Sequence, residues 1–457
     1  MWTQRDQIQA YQFLRRRLVS ALVAADANHP TSPSKRLVLG TVLGLAAALL
    51  AAAVFGVIGL LTPSRAEEWR QGGQVIVEKE TGARFLLGAD GALHPVLNYA
   101  SARLLAGGDG TKTVTVPAKT LGGVPRGAGI GIAGAPDSLP QQDRLLPGPW
   151  TRCTRMAQDR PTGDAPVSTV LLGQEPPGTA LRGGQAVLVR LDEQRRYLIT
   201  GGQRYRLVDT TTVVALGYAS TDAVLVSAEW LNTVPTGRDL HTVDVPNAGD
   251  AGPSIASGTT RVGQVLVAGD EFYVVRTDGL AVVSETEARL VLGAPGVAAA
   301  YPTGTPEALP VGAADVAAAP RSAATSTGYP RHRPRPVTVE PTSIVCTTGA
   351  EVTVGHGSLG VLGDPMLTDP KANAANEVYV PGGGGAVVEE QPRPGASTGA
   401  VYVITDTGKK YPVAGQRALA SLGYEKLPRQ GVPADVLALF PTGVTLNPEA
   451  ANRTVPD

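Results

Sequence analysis

The sequence predicts a single-pass membrane protein whose mass lies in a mainly β extracytoplasmic region with short helices. This region is expected to be built of α+β repeats and duplicated with pseudo-twofold symmetry, four repeat modules surrounding a central domain. Three observations predict it: an uncharged apolar stretch from Leu37 to Leu61, four similar strand-turn-strand segments beyond it, and two far-separated cysteines, Cys153 and Cys346. At 457 residues the chain exceeds the roughly 250 to 300 at which a single core stops growing, so several domains or an internal duplication are expected. Forty basic and 40 acidic side chains cancel and charged residues make up 18%, which excludes a nucleic-acid-binding polycation and an acidic disordered chain. Gly 55 and Pro 37, with aromatics at 5%, favour turns and short strands over long helices. Two cysteines are too few for a disulfide-framework miniprotein or a four-cysteine zinc site, but they suffice for one long-range bridge.

In chain order, residues 1–36 come first. Ile8, Tyr11, Leu14 (or Phe13), Leu18 and Leu22 recur at three-to-four spacing, with Arg15 to Arg17 interrupting the stripe, which predicts an amphipathic helix. Two explanations stand side by side: a membrane-surface helix whose arginines meet anionic lipid, or a docking helix for a cytosolic partner. Residues 37–61 then run for 25 positions without a charge, about 37 Å as a helix and enough to span a bilayer with some tilt. The stretch exceeds a signal-peptide apolar region and has no clear small-residue cleavage site, so it is read as a transmembrane helix. Arg5, Arg15, Arg16, Arg17, Lys35 and Arg36 precede it, whereas Arg65 and Arg70 after it are mixed with Glu67 and Glu68. The N-terminus is therefore expected in the cytoplasm and residues 62–457 outside it, where a disulfide persists.

The outer region repeats. Gly73-Gln74-Val75-Ile76-Val77, Gly184 to Val189, Gly263 to Val267 and, more weakly, Gly385 to Val388 each read as a strand. A second apolar run headed by Phe85, Tyr197, Tyr273 or Tyr402 follows, then a turn glycine: Gly91, Gly202, Gly279 or Gly408. A leucine comes 13 or 14 residues later (Leu104 or Leu105, Leu216, Leu292, Leu422), and Gly107, Gly217, Gly293 and Gly423 stand near it as helix C-caps would. The copies are unevenly spaced, which argues against a solenoid. Copies one and three are each followed by a long insertion with a cysteine, and copies two and four by Pro-Thr-Gly at Pro235 and Pro441. Two halves result, 62–240 and 241–457. Pseudo-twofold packing would set the insertions against each other, so a Cys153 to Cys346 disulfide is expected, the alternative being two unrelated buried thiols. Residues 301–341, rich in Pro, Ala and Thr, are expected to be extended, polyproline-like or mobile, and the tail after Leu446 loop-like.

Motifs that suggest chemistry fail on context. Gly129-Ile130-Gly131-Ile132-Ala133-Gly134 matches a dinucleotide fingerprint but is bracketed by Pro125 and Pro136, with no βαβ unit around it. Gly395-Ala396-Ser397-Thr398-Gly399 matches a hydrolase elbow, yet prolines precede it and no histidine follows it. Pro381 to Gly385 lacks the Lys-Ser/Thr of a P-loop, and Gly408-Lys409-Lys410 lacks the glycine spacing and the hydroxyl. The histidines His29, His94, His241, His332 and His356 have no ligand spacing, so no catalytic residue, cofactor site or metal site is expected. Asp192-Glu193 and Glu389-Glu390 read as solvated turn or strand-end pairs.

Taken together, Gln9-Ala10-Tyr11-Gln12-Phe13-Leu14-Arg15-Arg16 with Ala21-Leu22 and Asp26, the following span, the four Tyr/Phe...Gly...Leu-Gly units and the two cysteines resemble the EccB family. EccB is the single-pass core membrane component of actinobacterial type VII (ESX) secretion systems, and the resemblance covers the whole chain. It implies an elongated β body with repeat modules flanking a central domain, and a disulfide at Cys153 and Cys346. It also implies assembly with the EccC ATPase, EccD and EccE, and contact with a mycosin protease on the outer side. Some family members are described as ATPases, an activity for which this sequence has no Walker-type pattern. The reading is a non-enzymatic, oligomerising scaffold anchored in the lipid bilayer, with Ile8, Tyr11, Leu14, Leu18 and Leu22 as its partner-docking face. The alternative is a membrane-anchored cell-wall-binding module, for which 21 aromatic residues are a thin supply.

Overall fold

The computed structural model describes residues 3–24, 33–61, 69–106, 112–156, 165–324, 328–356, 366–368, 374–392 and 399–455. Asp26, His29, Arg65, Glu67, Glu68, Gly107 and the serine of the elbow-like match, Ser397, lie outside them. The chain divides into two compact units, 1–71 and 72–457. In the first, α1 (Gln4–Ala24) carries the amphipathic stripe and α2 (Pro33–Leu61) the apolar one. A proline at the first turn of α2 costs nothing, because its missing N–H would have no partner there. Val38–Val57 has a mean hydropathy of 2.4, long and apolar enough to cross a membrane.

The second unit is mostly β with short helices. Its first module runs β1 (Val75–Glu78), β2 (Arg84–Leu87), β3 (Leu93–Pro95), α3 (Tyr99–Ala106) and β4 (Thr113–Val116). After α4 (Ala118–Leu121) come β5 (Trp150–Met156), β6 (Pro166–Leu172) and β7 (Thr179–Ala180). The second module is β8 (Gln185–Arg190), β9 (Arg196–Thr200), β10 (Gln203–Leu207), α5 (Thr210–Ala215) and β11 (Val224–Leu225), followed by α6 (Ala228–Asn232). The third is β12 (Val265–Ala268), β13 (Glu271–Arg276), β14 (Gly279–Val283), α7 (Glu285–Leu292) and β15 (Leu309–Pro310). Next come α8 (Ala313–Ala318), β16 (Arg335–Pro336), β17 (Ile344–Thr348), β18 (Glu351–Gly355), β19 (Met366–Leu367) and β20 (Glu377–Tyr379). The fourth module is β21 (Gly385–Gln391), β22 (Val401–Thr405), β23 (Lys410–Pro412), α9 (Gly415–Leu422) and β24 (Gln430–Pro433), with α10 (Ala434–Leu437) and α11 (Pro448–Ala451) after it.

Each module is built the same way: two antiparallel hairpins, then a helix that carries the chain back to a strand parallel to the first. The sheet orders are β3-β2-β1-β4, β10-β9-β8-β11, β14-β13-β12-β15 and β23-β22-β21-β24. The turn glycines Gly91, Gly202, Gly279 and Gly408 all have positive φ, between 69° and 148°, a conformation that L side chains avoid. The crossover helices start on side-chain caps in three modules: Asn98, Asp209 and Ser284 accept from the amides of Ser101, Thr212 and Glu287 at 3.0, 2.7 and 3.0 Å. Gly423 ends α9 with a left-handed φ of 81°. Gly293, by contrast, ends α7 with a right-handed φ of -84°. Its glycine serves space, since a Cβ there would sit 2.2 Å from the Ala215 Cβ on α5.

The cysteine insertions pair with each other. A seven-stranded sheet, β19-β20-β6-β5-β17-β18-β7, holds the hairpins β5-β6 and β17-β18 side by side, with Cys153 directly opposite Cys346. The modules interlock around it. Ala100 and Leu104 of α3 share a core with Val387, Val403, Leu419 and Leu422 of the fourth module. Leu290 of α7 enters the core formed by Leu188, Leu198, Leu207 and Leu216 of the second. Val170 and Leu172 of β6 pack with Val388, Ile404 and Phe440, while Val345 and Val352 pack with Val187, Ile199 and Trp230.

Two expectations are corrected. Residues 301–341 are not uniformly extended: α8 forms within them, β15 and β16 each add a parallel strand to a module, and Tyr301, Val316 and Tyr329 are buried. Pro310 and Pro336 fit because short outer strands do not need every N–H. The tail is also ordered as far as residue 455: Asn447 caps α11 by accepting from the Glu449 amide at 2.9 Å, and Ala451 is buried.

Candidate functional site

The sequence points to an anchoring and framing device, so the residues that matter are those joining its parts. The centre is the β5/β17 pair, where a disulfide joins Cys153 and Cys346, with the sulfurs 2.07 Å apart. Leu171, Ile344 and Tyr379 bury it. Beside it, Arg152 is 5% exposed and spans the sheet. Its Nε, Nη1 and Nη2 donate to the carbonyls of Thr347, Thr233 and Gly349, each at 3.3 Å, while its own carbonyl accepts from Trp230 Nε1 at 3.0 Å. Burial pulls its guanidinium down to about 10, still charged at neutral pH. One strand turn on, Arg155 Nη2 meets both oxygens of buried Glu377 at 3.0 and 3.3 Å, and Thr169 Oγ1 donates to the same carboxylate at 2.7 Å. That triad ties β5, β6 and β20 together.

Two tyrosines clasp the modules across the body. Tyr218, just after α5, donates to the Pro334 carbonyl at 2.6 Å, and Tyr424, just after α9, donates to the Pro140 carbonyl at 2.6 Å. Burial pushes both phenols well above their ordinary range. Sequence reading missed them, although Leu216-Gly217-Tyr218 and Leu422-Gly423-Tyr424 repeat letter for letter. Arg103 of α3 adds a further link, Nη2 to the Leu422 carbonyl at 2.6 Å.

The motifs that fail on context are occupied by ordinary structure. In the glycine-rich segment the amides of Ile130 and Gly131 donate to the carbonyls of Pro95 and Arg453, and Gly129 accepts from Val455, leaving a backbone strap and no phosphate cradle. In Pro381 to Gly385 the Gly384 amide closes a turn on Pro381, and the Gly383 amide is held by the carboxylate of Asp406 at 2.8 Å, where a phosphate would be repelled. His94 is held by the Ala128 carbonyl and Asp90, His356 by Ser343, and His241 by the Thr242 carbonyl. His332 Nδ1 lies 3.8 Å from Glu285. Among the described residues no three metal-ligating groups converge. Asp192 is locked in its turn by the Gln194 and Arg195 amides, and Glu389 and Glu390 sit on β21, the latter 3.2 Å from the Tyr402 hydroxyl. In α1, Ile8, Tyr11, Leu14, Leu18 and Leu22 are 57% to 77% exposed.

The family model described as "Type VII secretion system ESX-1, transport TM domain B" matches residues 1–456. The chain is 28% identical to the "ESX-3 secretion system ATPase EccB3" of Mycolicibacterium smegmatis, over 97% of this chain and 89% of that protein. Among solved structures it is similar to a chain of an intact ESX-5 inner membrane complex, with a TM-score of 0.65 and 23% identity over 100% of this chain and 96% of that one. It is also similar to the EccB3 dimer from the ESX-3 core complex, with a TM-score of 0.66 and 25% identity over 83% of this chain and 99% of that one.

Proposed function

The chain belongs to the EccB family of type VII secretion components, and from that premise we propose that its outer body is a non-enzymatic scaffold framing the extracytoplasmic exit of a protein export channel. As a member of that family it is a structural core component of the secretion membrane complex. The observation that carries the scaffold reading is the cross-clasped body: its prominent buried links, from the disulfide to Arg152 and the Arg155 to Glu377 pair, tie the strands of the central sheet to one another and to the segments packed on it. The relatives' names carry an ATPase, but the glycine-rich segments of this chain spend their amides on backbone carbonyls and a carboxylate.

In this reading the basic flank of the span stays in the cytoplasm and the body lies outside. The body is a duplication of 62–240 onto 241–457. Its support is the exchange of partners: module one packs on four and three on two, the first hairpin on four and the second on two, and the tyrosine clasps follow the same exchange. Copies of the chain dimerise or oligomerise through the body. Ile8, Tyr11, Leu14, Leu18 and Leu22 dock on an EccC-type ATPase, EccD or EccE, and the outer surface meets a mycosin protease. Tyr11→Asp with Leu14→Asp places two charges on the exposed stripe and should detach the chain from the complex. Native pull-down with subunit identification by mass spectrometry reads this out, and an intact complex in the double variant would refute the docking face.

A further inference from the structure

We infer that the cleft between the second module and the strap leaving the third is a binding site for a phosphodiester polyanion, engaged by Arg182, Arg333 and Arg335. The cavity measures about 550 Å³, and these three arginines line it with His332 and a single carboxylate, Glu285. The strap is fixed: Arg335 and Pro336 pair with Gln185 and Ala186, and the Arg335 amide donates to the Gly184 carbonyl at 2.8 Å. Arg182 sits on a tight turn closed by the Gln185 amide at 2.9 Å, with Gln185 Oε1 accepting from the Arg182 amide at 2.7 Å. Arg333 is held by Nη1 on the Leu216 carbonyl at 2.7 Å, with its guanidinium 5.6 Å from the Tyr218 ring centre. Glu285 is occupied inside the protein by the Arg333 amide at 3.1 Å and by Arg289 at 3.7 Å. Among the described residues, the side chains of Arg182 and Arg335 have no carboxylate partner.

The molecule supplies its own control. The other tyrosine clasp has the same frame, a Leu-Gly-Tyr hydroxyl on a proline carbonyl, but there the proline is flanked by Leu139 and Gln141, where the cleft has Arg333 and Arg335. Arg103 there holds the Leu422 carbonyl as Arg333 holds that of Leu216, so one arginine belongs to the frame, and it is Arg182 and Arg335, without a counterpart in the lining of the other clasp, that answer to something else. Guanidinium forks on fixed backbone suit oxyanions, and three of them suit an anion carrying several charges. The lining has no large aromatic or leucine side chain that would enter lipid, and the cleft is recessed, which favours a chain over a flat headgroup layer. With the body outside the membrane, as proposed above, such a chain is an anionic polymer of the cell surface; the binding itself does not depend on that placement.

The test uses the full-length protein in detergent, with poly(glycerol phosphate) as the probe and thermophoresis as the readout. Wild type should bind, at least tenfold more weakly at high salt than at low. Arg182→Gln with Arg335→Gln should lose tenfold or more at low salt. Both side chains are exposed, so folding, checked by circular dichroism, is expected to persist. The charge-matched pair Arg206→Gln with Arg417→Gln should bind as wild type. No binding by wild type, equal loss in both variant pairs, or binding to phosphatidylglycerol vesicles with none to the polymer would each overturn the inference.

Discussion

Opening the Cys153 to Cys346 link, by Cys153→Ala with Cys346→Ala or by reduction, removes a tether between residues 193 apart in sequence. The chain-entropy relation gives about 18 cal/mol/K for a loop of that length, or about 5 kcal/mol at 25 °C. Spread over the unfolding entropy of the body, residues 72–457, at about 2 cal/mol/K per residue, this lowers the melting temperature by about 6 °C. The loss should fall on stability and leave the sheet in place, because Leu171, Ile344 and Tyr379 still cover the site and β5 still pairs with β17. Intrinsic tryptophan fluorescence of the full-length protein, melted with and without reductant, reads it directly, Trp230 being buried against the same sheet. Reduction and the double alanine variant should agree within a degree or two. A drop below 2 °C in both would refute the long-loop argument, and a drop in the variant alone would assign the effect to packing.

Other consequences follow from the same contacts. Gly293→Ala should cost about 1 to 3 kcal/mol by overpacking against Ala215, and Ala215→Gly should restore most of it, measured by denaturant unfolding. Glu377→Gln leaves Arg155 half-paired and should cost about 2 kcal/mol, discounted because Arg155 is 30% exposed at its side chain. Tyr218→Phe and Tyr424→Phe should each cost about 1 kcal/mol and add, since the clasps lie at separate junctions. Because burial raises both phenols, their stabilising contribution is complete below the ordinary tyrosine value near about 10 and is lost as pH climbs beyond it. An alkaline stability titration should accordingly fall less steeply in the double phenylalanine variant.

The local structure was legible because it rests on local physics. Runs such as Val75-Ile76-Val77 fit a strand, here with Val75 and Ile76 buried on its two faces, and the turn glycines after them sit where φ must be positive. The cysteines gave away the central pairing through their matched positions in two insertions. The cross-partnering of modules was not legible, because it is set by register at β5 and β17 and by burial of α3 and α7 in distant cores, neither of which leaves a periodic trace. The repeated Leu-Gly-Tyr was the one signal that pointed to it. Proline content misled at 301–341, because a proline on a short outer strand is as compatible with a sheet as with a solvated strap. The arginine cleft was hidden for a related reason: Arg182 and Arg335 lie far apart in sequence and meet only because β16 pairs with β8.

Protease accessibility in two membrane orientations tests the central claim most directly. Added to intact protoplasts, protease should cut the body at its exposed turns and leave the N-terminal helix protected, while inside-out vesicles should give the reverse. A body that survives in protoplasts and is lost in inside-out vesicles would contradict the account.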